Sequence, residues 1–411
     1  RRSRAGAAAA TAAAGVAVDA GATTLGVDVR EALVSLAFVA ADIAIALCLR
    51  RVAALTGPRV PGAGGAVGVA DAPRGEEGRG VWEAATLAMQ ERVSMPQLGA
   101  GRLARAVQAA WPDVVGAVVM LHPFAIVSCA ARSTSVFGHV ALALALRQAA
   151  SGHRATSMAA LAWATAALPQ NAVALLPLVA LLEHATNAKG AAWSRVRDRT
   201  VCAVYFAASL AALLVASREW AGSWGFVSAS YVWSFRVVDL RPNIGVFWYL
   251  ITEIFDRFKL YFLVVFNLHP LLYIVPLWIR LRGRPLALLA CLVAMGTLLK
   301  PYPTVGDHAV CAALVLLVRG SVGRSSSVWL WVVLLTAFSL LMPVMWYLWL
   351  TTGAGNANFF YNQNMLFNIA SAMLLLAPMG ATLARDKAAA SAVKARAGAA
   401  SDAAGAATVA A

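Results

Sequence analysis

Four asparagines, Asn356, Asn358, Asn362 and Asn364, crowd into one short polar stretch, residues 353–364. A carboxamide donates through its nitrogen and accepts through its oxygen, so such a cluster suits sugar hydroxyls and phosphate oxygens. The aromatic run Phe359, Phe360 and Tyr361 sits inside it. Two further polar islands have similar potential. Residues 239–249 run from Asp239 through Arg241, Pro242 and Asn243 to the triplet Phe247, Trp248 and Tyr249, with Glu253 one helical turn beyond. Residues 300–307 place Lys300 and Asp307 at the ends of a tight turn stiffened by Pro301 and Pro303. Lys300 offers a cation to phosphate and Asp307 an anion to an amine, although a lysine there also reaches headgroups simply by snorkelling. The chemistry in view is recognition of a polar headgroup.

Bond-making constellations are missing from the pattern. Cys48, Cys129, Cys202, Cys291 and Cys311 lie in or beside apolar runs without close pairing, which excludes a zinc site of the usual spacing. His122, His139, His153, His184, His269 and His308 are scattered. There is no Cys–His pair at a plausible site, no Ser/His/Asp grouping and no phosphate loop. Neither a metal nor a cofactor is expected.

The elements that must position the islands are membrane helices. Of 411 residues, 61% are hydrophobic and 13% charged. A soluble domain carries about 25% charged residues, so lipid must cover much of this surface. Apolar runs fall at 32–49, 114–131, 136–149, 155–168, 171–185, 200–217, 259–279, 285–299, 308–318, 327–350 and 363–383. A span needs about 20 residues, and the runs predict an all-α polytopic protein with about 11 transmembrane helices. The runs at 136–149 and 308–318 are short enough to be half-spans.

The net charge of +15 is gathered between apolar runs. Arg50 and Arg51, Arg147 and Arg154, the cluster Lys189 to Arg199, Arg280 to Arg284, Arg319 and Arg324, and Arg385 to Arg396 all fall on one side when the spans are crossed in turn. That side is cytoplasmic by the positive-inside rule, and the three polar islands fall on the other. No basic stretch is interleaved with aromatics, which argues against nucleic acid. Residues 1–30 read as a disordered Ala-rich N-terminus, and 31–384 as the membrane domain, with a flexible, amphipathic cytoplasmic loop at 51–110. Residues 385–411 read as a disordered basic cytoplasmic tail. Residues 244–258 read as one amphipathic interfacial helix, with Phe247, Ile251, Ile254, Phe255 and Phe258 on one face and Glu253 paired to Arg257 four residues on.

Several motifs in order carry a resemblance. RPNIGVFWYLITEIFDRF at 241–258, KPYPTVGD at 300–307, MWYLWL at 345–350 and GAGNANFFYNQNMLFN at 353–368 resemble the PIG-U family, the multi-spanning subunit of glycosylphosphatidylinositol (GPI) transamidase. HPFAIVSCAARST at 122–134 is similar to that family's Asn-Pro segment, with His122 at the asparagine position. The likeness runs from residue 32 to 383, strongly from 239 onward and weakly before 110. It implies a fold like that of the GT-C-type mannosyltransferases. The family also has a span and luminal loop ahead of the first run here, where only the Ala-rich segment stands; a missing N-terminal span would bring the count to about 12.

The resemblance further implies the endoplasmic reticulum membrane and a complex that joins the new carboxyl end of a precursor protein to GPI. Thiol catalysis belongs there to a separate caspase-like subunit, with further membrane and luminal partners. The subunit seen here is no enzyme and recognises or presents the GPI lipid. By the family's motif, Asn358 is the first headgroup contact and Asn356 the second, beside Phe359, Phe360 and Tyr361. Phe247, Trp248, Tyr249 and Glu253 match its proposed acyl-chain element.

Two other functions fit membrane helices. A GT-C transferase of the GPI pathway using a dolichol-phosphate sugar needs a carboxylate base, generally on the first luminal loop. Glu219, Asp239, Glu253, Asp256 and Asp307 form no DxD-like pair. A transporter needs charged or broken positions midway through spans, and Pro123, Pro169 and Pro177 lack charged partners in sequence.

Overall fold

A computed structural model describes residues 29–56, 102–186, 192–237, 240–318 and 327–410. The readings made for 1–28, for most of the 51–110 loop, and for Lys189, Asp239, Arg319 and Arg324 lie outside these residues. Every regular element among the described residues is helical. In chain order they are α1 (Val29–Thr56), α2 (Arg102–Leu121), α3 (Pro123–Ala130), α4 (Ser135–Ala150), α5 (Arg154–Ala167), a 3-10 turn (Pro169–Ala174) leading into α6 (Leu175–Ala185), and α7 (Ala192–Ala221). Short turns precede α8 (Phe247–Glu253) and α9 (Asp256–Leu268), and a 3-10 turn (His269–Tyr273) joins α9 to α10 (Ile274–Leu281). Then come α11 (Pro285–Leu298), α12 (Val305–Leu317), α13 (Ser327–Leu350) and α14 (Ala357–Ala410). Each apolar run read from the sequence lies on one of these helices or on a helix broken at a proline.

Length sorts the helices into two kinds. Among the described residues, five stretches are long and apolar enough to cross a membrane: Arg30–Thr56, Trp193–Ala221, Asp256–Leu281, Ser327–Leu350 and Ala357–Ala392. Ala110–Leu121 and Pro123–Ala130, bent by 43°, make a sixth if they form one span. Helices α4, α11 and α12 have 16, 14 and 13 residues. At 1.5 Å per residue they reach about 20–24 Å, short of a hydrocarbon core of about 30 Å. The sequence count of about 11 therefore rests partly on helices that do not qualify by length alone.

The short helices form the inner bundle. Ala287, Leu288 and Ala290 of α11, Ala141 and Leu146 of α4, and Leu314 of α12 belong to one buried cluster with the core-facing side of α1. The outer helices keep large apolar side chains exposed, among them Val204 and Val215 of α7, Val275 and Ile279 of α10, and Trp329, Val333 and Leu340 of α13. Side chains displayed this way are what lipid covers.

The bundle has two polar ends. At one, Arg154 makes a two-pronged bond to Asp198 at 3.1 and 2.8 Å. Arg199 grips Glu183 and Arg284 pairs with Asp386. These pairs tie α5 to α7, α6 to α7, and the start of α11 to α14. The polar islands lie at the other end.

Two stretches differ from their sequence reading. Residues 244–258 form two helices, because Ile254 and Phe255 are extended, each with ψ of 137°. Glu253 and Arg257 therefore sit on separate helices, and the pair formed here is Asp256 with Lys259 at 2.7 Å. The break lets Phe247, Trp248 and Ile251 bury while Phe255 stays exposed. Helix α14 runs on to Ala410 through the stretch read as a disordered tail; alanine has the highest helix propensity, which accounts for the continuation.

Candidate functional site

Four separate motif segments meet at the second polar end. The 241–246 loop is joined to the 300–307 turn by Asn243 Nδ2, which donates to the Pro301 carbonyl at 3.1 Å. The Arg241 amide donates to the Tyr302 hydroxyl at 3.0 Å. The same loop is joined to α14 by Asn364 and Asn368, which donate to the Asn243 and Ile244 carbonyls. Tyr361 adds its hydroxyl to the Val246 carbonyl at 3.1 Å. The 122–134 segment enters through Phe124, whose ring meets Phe367, and through Ser128 beneath Gly306.

Capping chemistry explains why each segment folds where it does. Thr304 and Asp307 form a reciprocal capping box at the start of α12. Asn356 caps α14, its Oδ1 accepting from the Phe359 amide at 3.1 Å. His122 caps α3, its Nδ1 accepting from the Phe124 amide at 3.2 Å, with Pro123 in the first turn. An Asn-Pro pair would do the same work, since asparagine is among the preferred caps. His122→Asn is accordingly expected to leave the thermal midpoint of the purified chain unchanged or slightly raised.

Close approach depends on glycine at two places. A Cβ on Gly306 would stand 2.6 Å from Ser128 Oγ, and one on Gly245 would stand 2.8 Å from Pro303 Cδ. Gly306→Ala is expected to force α12 from α3 at a cost of about 1–3 kcal/mol. A thermal melt in detergent checks this against Gly380→Ala, where nothing lies within 4 Å of the added atom.

The outer face of the cluster is an aromatic shelf edged with carboxamides. Tyr249 and Tyr361 stack with centroids 4.5 Å apart. Trp248 lies beneath, against Trp349, Phe360 and Tyr361. The Tyr249 hydroxyl donates to Asn358 Oδ1. Partial burial and the neighbouring Glu253 carboxylate raise the Tyr249 hydroxyl above the usual tyrosine range, so it stays a donor. Asn356 and Asn358 are exposed. Their oxygens are engaged within the chain, one by the cap and one by Tyr249, which leaves the amide nitrogens as exposed donors. Such an edge favours acceptor-rich groups, phosphate or hydroxyl oxygens.

The residues singled out from sequence divide into three groups. Asn356, Asn358, Phe359, Tyr361, Tyr249 and Glu253 come together, with Phe359 and Glu253 exposed. Phe247, Trp248 and Phe360 form the buried floor, none more than 5% exposed. Lys300 and Asp307 bind each other at 2.9 Å. Asp307 also takes His139 Nε2 at 2.9 Å and the Thr304 amide at 2.7 Å, and is almost wholly buried. Asn364, one of the four clustered asparagines, is buried and turned to the Asn243 carbonyl instead of outward, and two residues to which the sequence assigned no part, His139 and Asn368, join it. A histidine inside an apolar run is the signal that could have marked His139, while Asn364 and Asn368 stand four apart on one helix face.

A family profile described as GPI transamidase subunit PIG-U matches residues 17–367. The GPI-anchor transamidase component PIGU of Homo sapiens is 30% identical over 272 residues, 64% of this chain and 61% of the human protein. The Cricetulus griseus protein of the same name is 32% identical over 269 residues, again 64% of this chain and 61% of the relative. The GPI transamidase component GAB1 of Saccharomyces cerevisiae is 26% identical over 264 residues, 64% of each chain. The matched stretch thus spans about three-fifths of the relatives' length. With most of the sequence matched and the motif segments gathered into one cluster, the chain belongs to the PIG-U family of GPI transamidase subunits.

Proposed function

We propose that the chain is the membrane subunit of GPI transamidase that recognises or presents the GPI lipid, in the endoplasmic reticulum membrane and without bond-making residues of its own. The observation that carries this reading is the edge of exposed amide donors on Asn356 and Asn358 beside the stacked Tyr249 and Tyr361. Phosphate and sugar oxygens of a glycolipid headgroup match those donors, and the aromatic shelf suits the boundary between headgroup and acyl chain. Lys300 and Asp307 serve this site as a paired support beneath the 300–307 turn. The partners are a caspase-like catalytic subunit and further membrane and luminal subunits.

We also infer that the short inner helices complete crossings within a bundle of about 11 spans of GT-C type, the longer helices giving the assembly its thickness. Labelling of single cysteines from either side tests that count. For the function, the tagged chain is expressed in cells lacking their own copy. It is expected to restore surface display of a GPI-anchored reporter and to bring down a caspase-like subunit from mild detergent. Capture of no such subunit would remove the transamidase reading.

A further inference from the structure

Asn364 and Asn368 project from one face of α14, a turn apart, just inside the exposed asparagines. Asn364 Nδ2 donates to the Asn243 carbonyl at 2.5 Å. Asn368 Nδ2 donates to the Ile244 carbonyl at 2.8 Å and to the Asn364 carbonyl at 2.8 Å. Asn364 is wholly buried and Asn368 is 5% exposed. Both carbonyls they hold belong to the loop that leads into α8, so these bonds set where α8 begins and where Tyr249 stands relative to Asn358.

The amide oxygens of both residues are buried without a partner. An orphaned buried acceptor is unfavourable; leucine has the same branched outline without one, but its methyl ends are bulkier and it leaves the Asn243 and Ile244 carbonyls without these donors. The two oxygens hold nothing, so what the carboxamides supply is the direction of their nitrogens, set on the Asn243 and Ile244 carbonyls. Resting on the reading of Asn358 as a headgroup contact, we propose that Asn364 and Asn368 are positioning residues. They fix the register of the 241–246 loop, and through it hold Tyr249 against Asn358, without touching the lipid themselves.

The test uses the intact complex carrying Asn364→Leu with Asn368→Leu, and in parallel Asn358→Ala and Thr382→Val. Thr382 is a buried hydroxyl on the same helix, bonded only to the Pro378 carbonyl, far from the site. Three quantities are read: thermal midpoint, hydrogen exchange of a peptide covering 240–246, and kcat and apparent KM for a synthetic GPI glycolipid donor. The leucine pair is expected to leave the rest of the chain folded, with the midpoint lowered by no more than a few degrees, to speed exchange in 240–246 tenfold or more, and to raise KM at least fivefold with kcat within twofold. Thr382→Val is expected to change none of these.

Unchanged exchange and KM in the leucine pair overturn the proposal. So does a lowered midpoint with faster exchange throughout the chain, which is a structural role only. If Asn358→Ala raises KM and the leucine pair does not, positioning alone fails. If Asn358→Ala leaves KM unchanged, the headgroup reading fails and the inference with it.

Discussion

Asn358→Ala is expected to lower surface display of GPI-anchored proteins severalfold while the complex still assembles. Asn358 is exposed, so its loss leaves no buried hole, and exposed substitutions away from caps usually change stability by less than about 0.5 kcal/mol. Tyr249 loses an acceptor but keeps Glu253 beside its hydroxyl. What goes is an outward amide donor. A hydrogen bond to a charged acceptor contributes about 1.5–3 kcal/mol, and its loss weakens headgroup binding by roughly ten- to a hundredfold at 1.4 kcal/mol per factor of ten. Asn356→Ala is a less clean probe, because it also removes the α14 cap at about 1 kcal/mol. Tyr249→Phe keeps the ring stacked on Tyr361 and is expected to have a smaller effect. Flow cytometry of an anchored reporter, with co-purification at matched expression, reads both; normal display would remove Asn358 from the site.

Asp307→Ala is expected to have the largest effect on stability. Its carboxylate receives His139 Nε2, Lys300 Nζ and the Thr304 amide within 3 Å. The Asp307 side chain is 5% exposed, that of His139 7% and that of Lys300 16%. Removing the acid strands a mostly buried ammonium and undoes the capping box together. Breaking a buried pair from one side costs about 3–5 kcal/mol, a large part of the 5–15 kcal/mol that holds a typical domain. The expected result is loss of the monodisperse species in detergent chromatography and little assembled complex. Asp307→Asn keeps one acceptor and the same volume, so it is expected to fall between. A full yield of well-behaved Asp307→Ala protein would show that the network is not what anchors α12.

Much of this architecture is legible in the sequence because membrane helices announce themselves one at a time. Each apolar run lies on a helix or on a helix broken at a proline, and Arg154 and Arg284 of the basic clusters pair with Asp198 and Asp386 on neighbouring helices. The polar islands were visible as islands for the same local reason. Their convergence was not, since Asn243 meeting Pro301 and Asn364 depends on how distant helices pack. Periodicity misread 244–258: a continuous apolar face at helical spacing does not reveal that Ile254 and Phe255 are extended, because the break serves the burial of Phe247 and Trp248 under Phe360. Length leaves the short runs open: 308–318 is short enough for a half-span, and the helix that carries it, α12, has 13 residues and packs in the inner bundle. The carboxamides of Asn356 and Asn358 were noticed as donors and acceptors alike. Packing makes them donors, by engaging each oxygen within the chain.

The claim that this end of the bundle receives a GPI headgroup is tested most directly by photolabelling. A GPI glycolipid with a photoreactive group near its first sugar is added to the intact complex, and the adduct is mapped by mass spectrometry. The label is expected on 246–253 or 353–362 of this chain, and is expected to fall at least fivefold in Asn358→Ala. Label confined to other subunits or to the Arg284–Asp386 end, or full labelling of the alanine variant, would contradict it.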